Sequence, residues 1–460
     1  MNASTDTITA IATAVGEAGI AVARVSGTEA INIVDKIFLS KKPLTDAPSH
    51  SVQYGYIYDP QSGEKIDEVL VTIMRTPRSF TKEDVVEISS HGGFISINAI
   101  LQMLLDYGAR IAEPGEFTKR AFLNGRIDLA QAEAIVDIIR SKSDKAQQLA
   151  LKQVDGMLSN RIALLRDDLV SLMAHIEVNI DYPEHDVEDL THAYIRTNCH
   201  QSIEGISSLL HAAKQGKVLR EGIATAIVGK PNVGKSSLLN ILVQESRSIV
   251  TDIPGTTRDV IEEYITINGI PIKLLDTAGI RETEDIVEKI GVERSKAALQ
   301  DADLVLFVVN NHTPLDTDEI KLLQQLKDRQ MIIIVNKIDL ESKVDLEQLQ
   351  QLVPREQIIK MSVVEDTGLR KLEERITEMF AKGNIESNDM TYISNVRHIH
   401  CLKQAIQSLQ DAIESSKASI PIDMIQIDIK QAWESLGEIV GDTVHESLID
   451  QIFSQFCLGK

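Results

Sequence analysis

One stretch of nine residues constrains this chain more than any other: Gly229-Lys-Pro-Asn-Val-Gly-Lys-Ser-Ser237. The apolar run Ile223–Val228 precedes it, and the periodic apolar residues Leu238, Leu239, Ile241 and Leu242 follow. A strand therefore turns through a glycine loop into a helix, the context in which backbone N–H groups cradle a phosphate at a helix N-terminus. In that setting Lys235 reaches the β- and γ-phosphates, and the Ser236 hydroxyl ligates Mg2+. A glycine loop can arise by chance, but companion motifs in the expected order remove that reading.

Those companions follow directly. Thr251-Asp-Ile-Pro-Gly-Thr-Thr-Arg-Asp259 is placed like a first switch segment, and a Thr257 hydroxyl there completes Mg2+ coordination when a γ-phosphate is present. Ile270–Leu275 reads as a strand ending in Asp276-Thr-Ala-Gly279, with Asp276 as acidic partner of the metal and Gly279 offering its N–H to the γ-phosphate. Ala302–Val309 and Met331–Val335 read as further buried strands, the second ending in Asn336-Lys-Ile-Asp339. A carboxylate at Asp339 accepts hydrogen bonds from the N1–H and exocyclic amine of guanine; adenine offers neither and would leave the acid unpaired. The nucleotide is therefore GTP. Ser362-Val-Val-Glu-Asp-Thr-Gly368 supplies the last base-contacting loop and departs from the usual Ser-Ala-Lys.

The expected GTP contacts are Asn232, Val233, Gly234, Lys235, Ser236 and Ser237 of the loop, then Thr251, Asp252, Ile253, Pro254, Gly255, Thr256 and Thr257. Asp276, Thr277, Ala278 and Gly279 follow, then Asn336, Lys337, Asp339 and Ser362. Many small GTPases place a glutamine after Asp-x-x-Gly to orient the attacking water. Here Ile280 stands there and can neither donate nor accept, so another group must position the water. Glu282, Glu284, Asp285 and Glu288 lie just downstream; as a charge run alone they read as a solvated face. The amide oxygen of Asn232 suits a monovalent cation beside the phosphates, which would replace the charge an arginine finger supplies.

Composition narrows the setting. A length of 460 residues suggests about three domains. The formal charge is −21, with 68 acids against 47 bases, so any RNA role needs a local basic patch or a basic partner. Cys199, Cys401 and Cys457 have neither metal-ligand spacing nor the density of a disulfide framework, which suggests a reducing compartment. No apolar run approaches the roughly 18 residues of a membrane span, and the polar N-terminus lacks a signal-peptide core. A cytoplasmic, soluble protein is expected.

Along the chain, residues 1–118 read as an α+β domain. Thr7–Ala14, Ile20–Val25, Val52–Tyr58, Glu68–Met74 and Val85–Ser89 are β-branched and bounded by turn residues, and Phe94–Tyr107 has helical spacing. Gly16-Glu-Ala-Gly19 reads as a turn, Glu87 as a carboxylate that could lie on either strand face, and His91 as a turn residue before Gly92-Gly93. Residues 119–216 are helical, including Leu149–Leu158, Ile162–Ile176 and Ile195–Ala213, with breaks at Asn124-Gly125 and Asp181-Tyr-Pro-Glu184. Helical spacing returns over residues 380–460. Lys214-Gln-Gly-Lys217 and Ala381-Lys-Gly-Asn-Ile-Glu-Ser387 read as polar joints around residues 217–379. The expected fold is α/β multidomain: a P-loop nucleotide domain inserted into an all-α helical domain, preceded by the α+β domain.

The combined motifs resemble the MnmE (TrmE) family of tRNA wobble-uridine modification GTPases along essentially the whole chain. The markers are Arg24-Val-Ser-Gly27, Glu83-Asp-Val-Val-Glu-Ile88 leading to His91-Gly-Gly93, Pro114-Gly-Glu-Phe117, Arg120-Ala-Phe-Leu-Asn-Gly-Arg-Ile-Asp-Leu-Ala-Gln-Ala-Glu133, the nucleotide motifs, and the terminal Phe456-Cys-Leu-Gly-Lys460. The resemblance implies an N-terminal domain that mediates homodimerisation and binds a tetrahydrofolate one-carbon carrier (5,10-methylene or 5-formyl) through Arg24, Glu87, Arg126 and Lys460. It sets Cys457 nearby as an accessory residue. It implies potassium ligands at Asn232, Thr251, Ile253 (through its carbonyl) and Thr256, and a water-orienting catalytic Glu288 beside Lys235. The implied partners are tRNA and the flavoprotein MnmG (GidA), which carries the FAD. Together they would install an aminomethyl or carboxymethylaminomethyl group at C5 of the wobble uridine. The alternative is a ribosome-assembly switch, which shares the P-loop and the Gly-Thr-Thr-Arg-Asp segment. That role predicts a basic RNA-binding appendage, whereas the C-terminal section carries Asp423, Asp428, Glu434, Glu438, Asp442, Glu446 and Asp450.

Overall fold

A computed structural model describes residues 6–14, 16–181, 188–245, 263–275, 299–380, 393, 395–456 and 458–459. They divide into two compact units. Met1–Val136, Gln153–Arg196 and Gln407–Lys460 belong to unit 1, and Asp137–Lys152 with Thr197–Ile406 to unit 2.

Unit 1 is founded on a sheet of β1 (Ile8–Ile11), β2 (Ala18–Ser26), β3 (Phe38–Leu39), β4 (Ser51–Tyr58), β5 (Lys65–Met74), β6 (Val85–Gly92) and β7 (Arg110–Ile111). The strand order is β3-β4-β5-β6-β2-β1-β7, and only the β1–β7 pair is parallel. Side chains alternate across each strand. Ala21, Ala23 and Val25 therefore share one face with Val71, Ile73, Val86 and Ile88, buried with residues of α1 (Ala30–Ile37) and α2 (Phe94–Asp106). The other parity leaves Ile20, Val52, Tyr54 and Leu70 exposed. Each buried aliphatic side chain contributes about 1.5–3 kcal/mol, and a one-residue slip would exchange the faces, so the core fixes the register. Sequence reasoning passed over α1, a short helix whose Ala30, Ile31, Ile33, Val34 and Ile37 recur at helical spacing and are buried, and at whose start Glu29 makes no side-chain cap.

His91 departs from expectation. It lies within β6, its Nδ1 2.7 Å from Asp67 Oδ1, and the same carboxylate accepts from Ser96 Oγ at 2.7 Å. The glycine that suggested a turn serves a close strand contact instead: a Cβ on Gly92 would stand 2.2 Å from the carbonyl oxygen of Ala18.

The chain then becomes helical, with α3 (Glu116–Leu123), α4 (Leu129–Arg140), α5 (Asp144–Val154), α6 (Met157–Asp181) and α7 (Glu188–Glu221). The break at Asn124-Gly125 is present, with Gly125 at φ +65°. Leu149–Leu158 is not one helix: Gly156, at φ +87°, separates α5 from α6. Lys214–Lys217 is no joint either, because it lies inside α7. Gly216 is there for packing, since a Cβ would come within 2.7 Å of the Ile393 carbonyl oxygen. Residues 381–387, the other expected joint, fall outside the described residues. Within unit 1, α6 packs on the helix Ile422–Val440, where the Arg166 guanidinium lies 4.3 Å over the Trp433 ring. The rings of Phe122, Phe453 and Phe456 join α3 to the helix Glu446–Phe453.

Unit 2 holds β8 (Ile223–Val228), α8 (Lys235–Glu245), β9 (Glu263–Ile267), β10 (Ile270–Leu275), β11 (Leu304–Asn310), β12 (Met331–Asn336) and β13 (Ile358–Lys360). The sheet order is β13-β12-β11-β8-β10-β9, parallel throughout except for the β9–β10 hairpin. Parallel strands are covered on both faces and so read as unbroken apolar runs. Every residue of β12 is buried, as are Leu304–Val309 of β11. Two apolar clusters line the sheet, one holding Ile223, Leu238, Leu306 and Ile334, the other Phe307, Leu323, Ile333 and Val335. Ligands of such sheets bind beyond the carboxyl ends of the strands, where the order reverses direction. The loop after β8 lies there.

Candidate functional site

The loop between β8 and α8 is held by conformations that its sequence was chosen to allow. Gly229 sits at φ +148° and Gly234 at φ +103°; a Cβ would come 2.3 Å from the Val308 carbonyl oxygen at the first and 2.2 Å from Asn336 Nδ2 at the second. Asn232 takes φ +63°, a left-handed conformation that asparagine tolerates better than most residues. Lys235 opens α8, and its Nζ donates to the carbonyls of Gly229 at 2.8 Å and Lys230 at 2.6 Å. Burial pushes its ammonium below the usual lysine range, the desolvation cost that an anionic phosphate offsets.

The end of β12 braces the same loop. Asn336 Nδ2 donates to the Val233 carbonyl at 2.8 Å, and Lys337 Nζ to the Asn232 carbonyl at 2.8 Å. Asn336 Oδ1 is buried with no hydrogen-bond partner among the described residues. Asp339 is exposed, and its Oδ1 accepts from Ser362 Oγ at 2.6 Å, which orients the carboxylate. The loop glycines, desolvated lysine, orphaned acceptor and oriented acid all fit a guanine nucleotide. Sequence reasoning passed over Lys230, whose Nζ pairs with Asp316 and lies 3.5 Å from Glu319, tying the loop to the capped start of the helix Thr317–Gln325.

Of the other nucleotide and cation candidates, Thr251, Asp252, Ile253, Pro254, Gly255, Thr256, Thr257, Asp276, Thr277, Ala278, Gly279, Ile280 and Glu288 lie outside the described residues.

A second polar site stands on the outer face of the unit 1 sheet. Arg24 and Glu87 are register partners on β2 and β6. Arg24 Nε donates to Glu87 Oε1 at 2.8 Å, and its Nη1 to the carbonyl of Gly459 at 3.0 Å. The guanidinium also lies 5.7 Å from the centre of the Phe117 ring. Gly459 can reach this place because it has no side chain: at φ +84°, its Cβ would stand 2.5 Å from the Ile11 carbonyl oxygen. Glu87 is thus a paired, half-buried acid. Lys460 and Cys457 fall outside the described residues, although their neighbour Gly459 does not. Arg126 makes its contacts with another loop: Nη1 donates to the Ser79 carbonyl at 3.2 Å, and the guanidinium lies 4.8 Å over the Phe80 ring.

Behind this site lies a charge cluster that motif spacing did not reveal. Arg120, 4% exposed, pairs with Asp6 at 2.7 Å, Glu116 at 3.0 Å and Glu83 at 3.2 Å. Arg110 reaches the same Glu116 at 2.6 Å. Burial alone would raise the Glu116 carboxyl, but Arg110, the Glu113 N–H and Arg120 outweigh it and hold the group below the usual range. Among the described residues no group of three or more His, Cys, Asp and Glu could hold a metal ion.

Residues 7–126 match the family described as GTP-binding protein TrmE N-terminus, and residues 129–457 match the MnmE helical domain. The chain is 54% identical over 457 residues to the tRNA modification GTPase MnmE of Oceanobacillus iheyensis, covering 99% of each. Its identity to the protein of the same description from Bacillus cereus is 56% over 456 residues, again covering 99% of each. Among solved structures, the G domain of the T. maritima FeoB iron transporter aligns with 34% of this chain and 98% of its own, at 29% identity and a TM-score of 0.25. With two family matches that together span nearly all of the chain, and relatives alike from end to end, the chain belongs to the MnmE family of tRNA modification GTPases.

Proposed function

We propose that this GTPase, with a flavoprotein partner of the MnmG (GidA) kind and a tetrahydrofolate one-carbon donor, installs an aminomethyl or carboxymethylaminomethyl group at C5 of the wobble uridine in tRNA. The observation that carries the folate half is the Arg24–Glu87 pair closed by the Gly459 carbonyl, which brings the chain's last residues onto its second strand. A carboxylate such as Glu87 pairs with the amino-pyrimidine edge of a pterin, while Arg24, Arg126 and Lys460 suit the anionic glutamate tail. The carrier supplies the one-carbon unit, and the protein residues bind and orient it. The exposed Ile20, Val52, Tyr54 and Leu70 on that sheet face support a homodimer formed through unit 1.

On the nucleotide side, Lys235 stabilises charge on the β- and γ-phosphates, Asp339 reads guanine, and Glu288 holds the attacking water in place of the missing glutamine at Ile280. Ser236 and Thr257 would ligate Mg2+, which neutralises phosphate charge when bound. Asn232, Thr251, Ile253 and Thr256 would hold K+ beside the phosphates. Residues 1–118, 119–216, 217–379 and 380–460 serve in this reading as dimerisation, helical, GTPase and second helical segments. No helix among the described residues is long and apolar enough to cross a membrane. Mass spectrometry of wobble uridines from cells lacking the protein tests the proposal: the C5 aminomethyl and carboxymethylaminomethyl forms should disappear and return with the wild-type gene. Unchanged nucleosides would overturn it.

A further inference from the structure

The β9–β10 hairpin lies along the chain between the segment bearing Thr251–Thr257 and Asp276, which follows Leu275 directly. Within unit 2, the short segment between α4 and α5 and the first turn of α5 grip this hairpin at three points. Lys142 Nζ lies 5.3 Å from the centre of the Tyr264 ring, and the Lys142 carbonyl accepts from Thr266 Oγ1 at 3.4 Å. Lys145 Nζ donates to the Asn268 carbonyl at 2.9 Å, at the turn itself. The turn is shaped to receive that lysine. Asn268 and Gly269 are both left-handed, at φ +51° and +82°, and a Cβ on Gly269 would stand 2.7 Å from Lys145 Cδ and 2.8 Å from Cε. The aliphatic stem therefore lies flat on a bare backbone.

The segment that grips is itself fixed. Ser143 is buried and its Oγ accepts from the Ala146 N–H at 3.2 Å, capping α5. Arg220 near the end of α7 donates to Asp137 of α4 at 2.8 Å. The hairpin is also held from its other side, where Asn268 Nδ2 donates to Thr377 Oγ1 of the helix Leu369–Phe380 at 3.0 Å.

We propose that Lys142 and Lys145 are positioning residues for GTP hydrolysis: they fix the β9–β10 hairpin, and so the chain entering and leaving the two nucleotide-sensing segments, against the helical part of unit 2. A hairpin anchored at its turn and along its edge strand cannot slide freely when either flanking segment rearranges around a γ-phosphate. Hydrolysis and the helices are thereby coupled through these three contacts. The proposal rests on the reading of residues 251–257 and 276–288 as the segments that bind metal and water.

The test uses full-length protein. Lys145→Met keeps the stem and removes the donor, Lys145→Arg restores a donor, and Tyr264→Leu removes the ring beneath Lys142. Measured quantities are kcat and KM for GTP, GTP affinity by equilibrium binding, and thermal unfolding, with Glu288→Ala alongside. Lys145→Met and Tyr264→Leu should change kcat by about 3- to 10-fold, the range of coupling through a packed network, with GTP affinity and unfolding near wild type, and Lys145→Arg should recover most of the loss. Wild-type kcat in Lys145→Met beside abolished turnover in Glu288→Ala would overturn the positioning role. So would a fall in kcat matched by an equal loss of GTP affinity. Wild-type turnover in Glu288→Ala would instead overturn the assignment of the segments beneath it.

Discussion

At the nucleotide site Lys235 hydrogen bonds carbonyls six and five residues back along the chain, whereas Arg24 in unit 1 hydrogen bonds a carbonyl 435 residues ahead. The first arrangement is fixed by local backbone: two left-handed glycines and a left-handed asparagine between a strand and a helix leave the loop little freedom. The second exists only when a sheet register, a helical unit and the chain's tail are all in place. Loop closure over such a separation costs entropy that the rest of the fold must offset. A local site should thus be broken by changing its own atoms, and a distributed one by disturbing what brings its parts together.

The sharpest way to break the contrast is in the loop. Lys235→Ala removes the half-buried ammonium to which the proposed function gives the phosphates, and kcat for GTP should fall by about 100- to 1000-fold, the usual cost of deleting a preorganised charge donor. Unit 1 should keep the proposed folate affinity and its thermal transition. A matching loss of folate binding by calorimetry would show that the two sites are not independently built. The converse change is milder. Arg24→Met removes both the Glu87 partner and the anchor for Gly459, so binding of 5-formyl-tetrahydrofolate should weaken by roughly 10- to 100-fold, in keeping with loss of a charged hydrogen bond. GTP turnover should stay within about twofold of wild type, below the effect of a single net hydrogen bond. A larger fall would place Arg24 in the nucleotide chemistry and remove the distinction.

The same contrast explains what was legible in the sequence. Strands β8, β10 and β12 were readable nearly to the residue because parallel strands buried on both faces are continuous apolar runs, and each ends in a motif. In unit 1, composition and spacing gave strands but no ligand; the role of Glu87 came from family resemblance, and only the fold pairs it with Arg24. His91 was misread because Gly92-Gly93 has the composition of a turn, while its partner Asp67 is 24 residues away. Lys214–Lys217 was misread because a polar stretch with a glycine resembles a linker, although that glycine accommodates Ile393. The grip of Lys145 on Gly269 spans 124 positions from one helix start to one hairpin turn, and no periodicity marks it.

The smallest effect concerns acid. Behind Arg24, unit 1 depends on buried charge: Glu116 is 7% exposed and shared by Arg110 and Arg120. Its carboxyl is held below its ordinary value, so the folded state binds this proton less readily than the unfolded chain does. The stabilisation is therefore fully present above the unfolded value, about 4.3, and is lost as pH falls through the lowered folded value. In unit 2, strands β11 (LVLFVVN) and β12 (MIIIVN) carry no acid, and the lowered carboxyl of Asp316 caps a helix start. Glu116→Gln cannot supply the charge that both arginines need and should cost about 1–3 kcal/mol at neutral pH, the usual range for a buried charged hydrogen bond. That gap between wild type and variant, followed by amide exchange in unit 1 from pH 7 downward, should hold steady until the carboxylate begins to protonate and then close. In the same samples β11 and β12 should show no difference between the two proteins. A gap that stayed constant into acid would mean that the Gln variant fails by packing, and that charge is not what separates the two units.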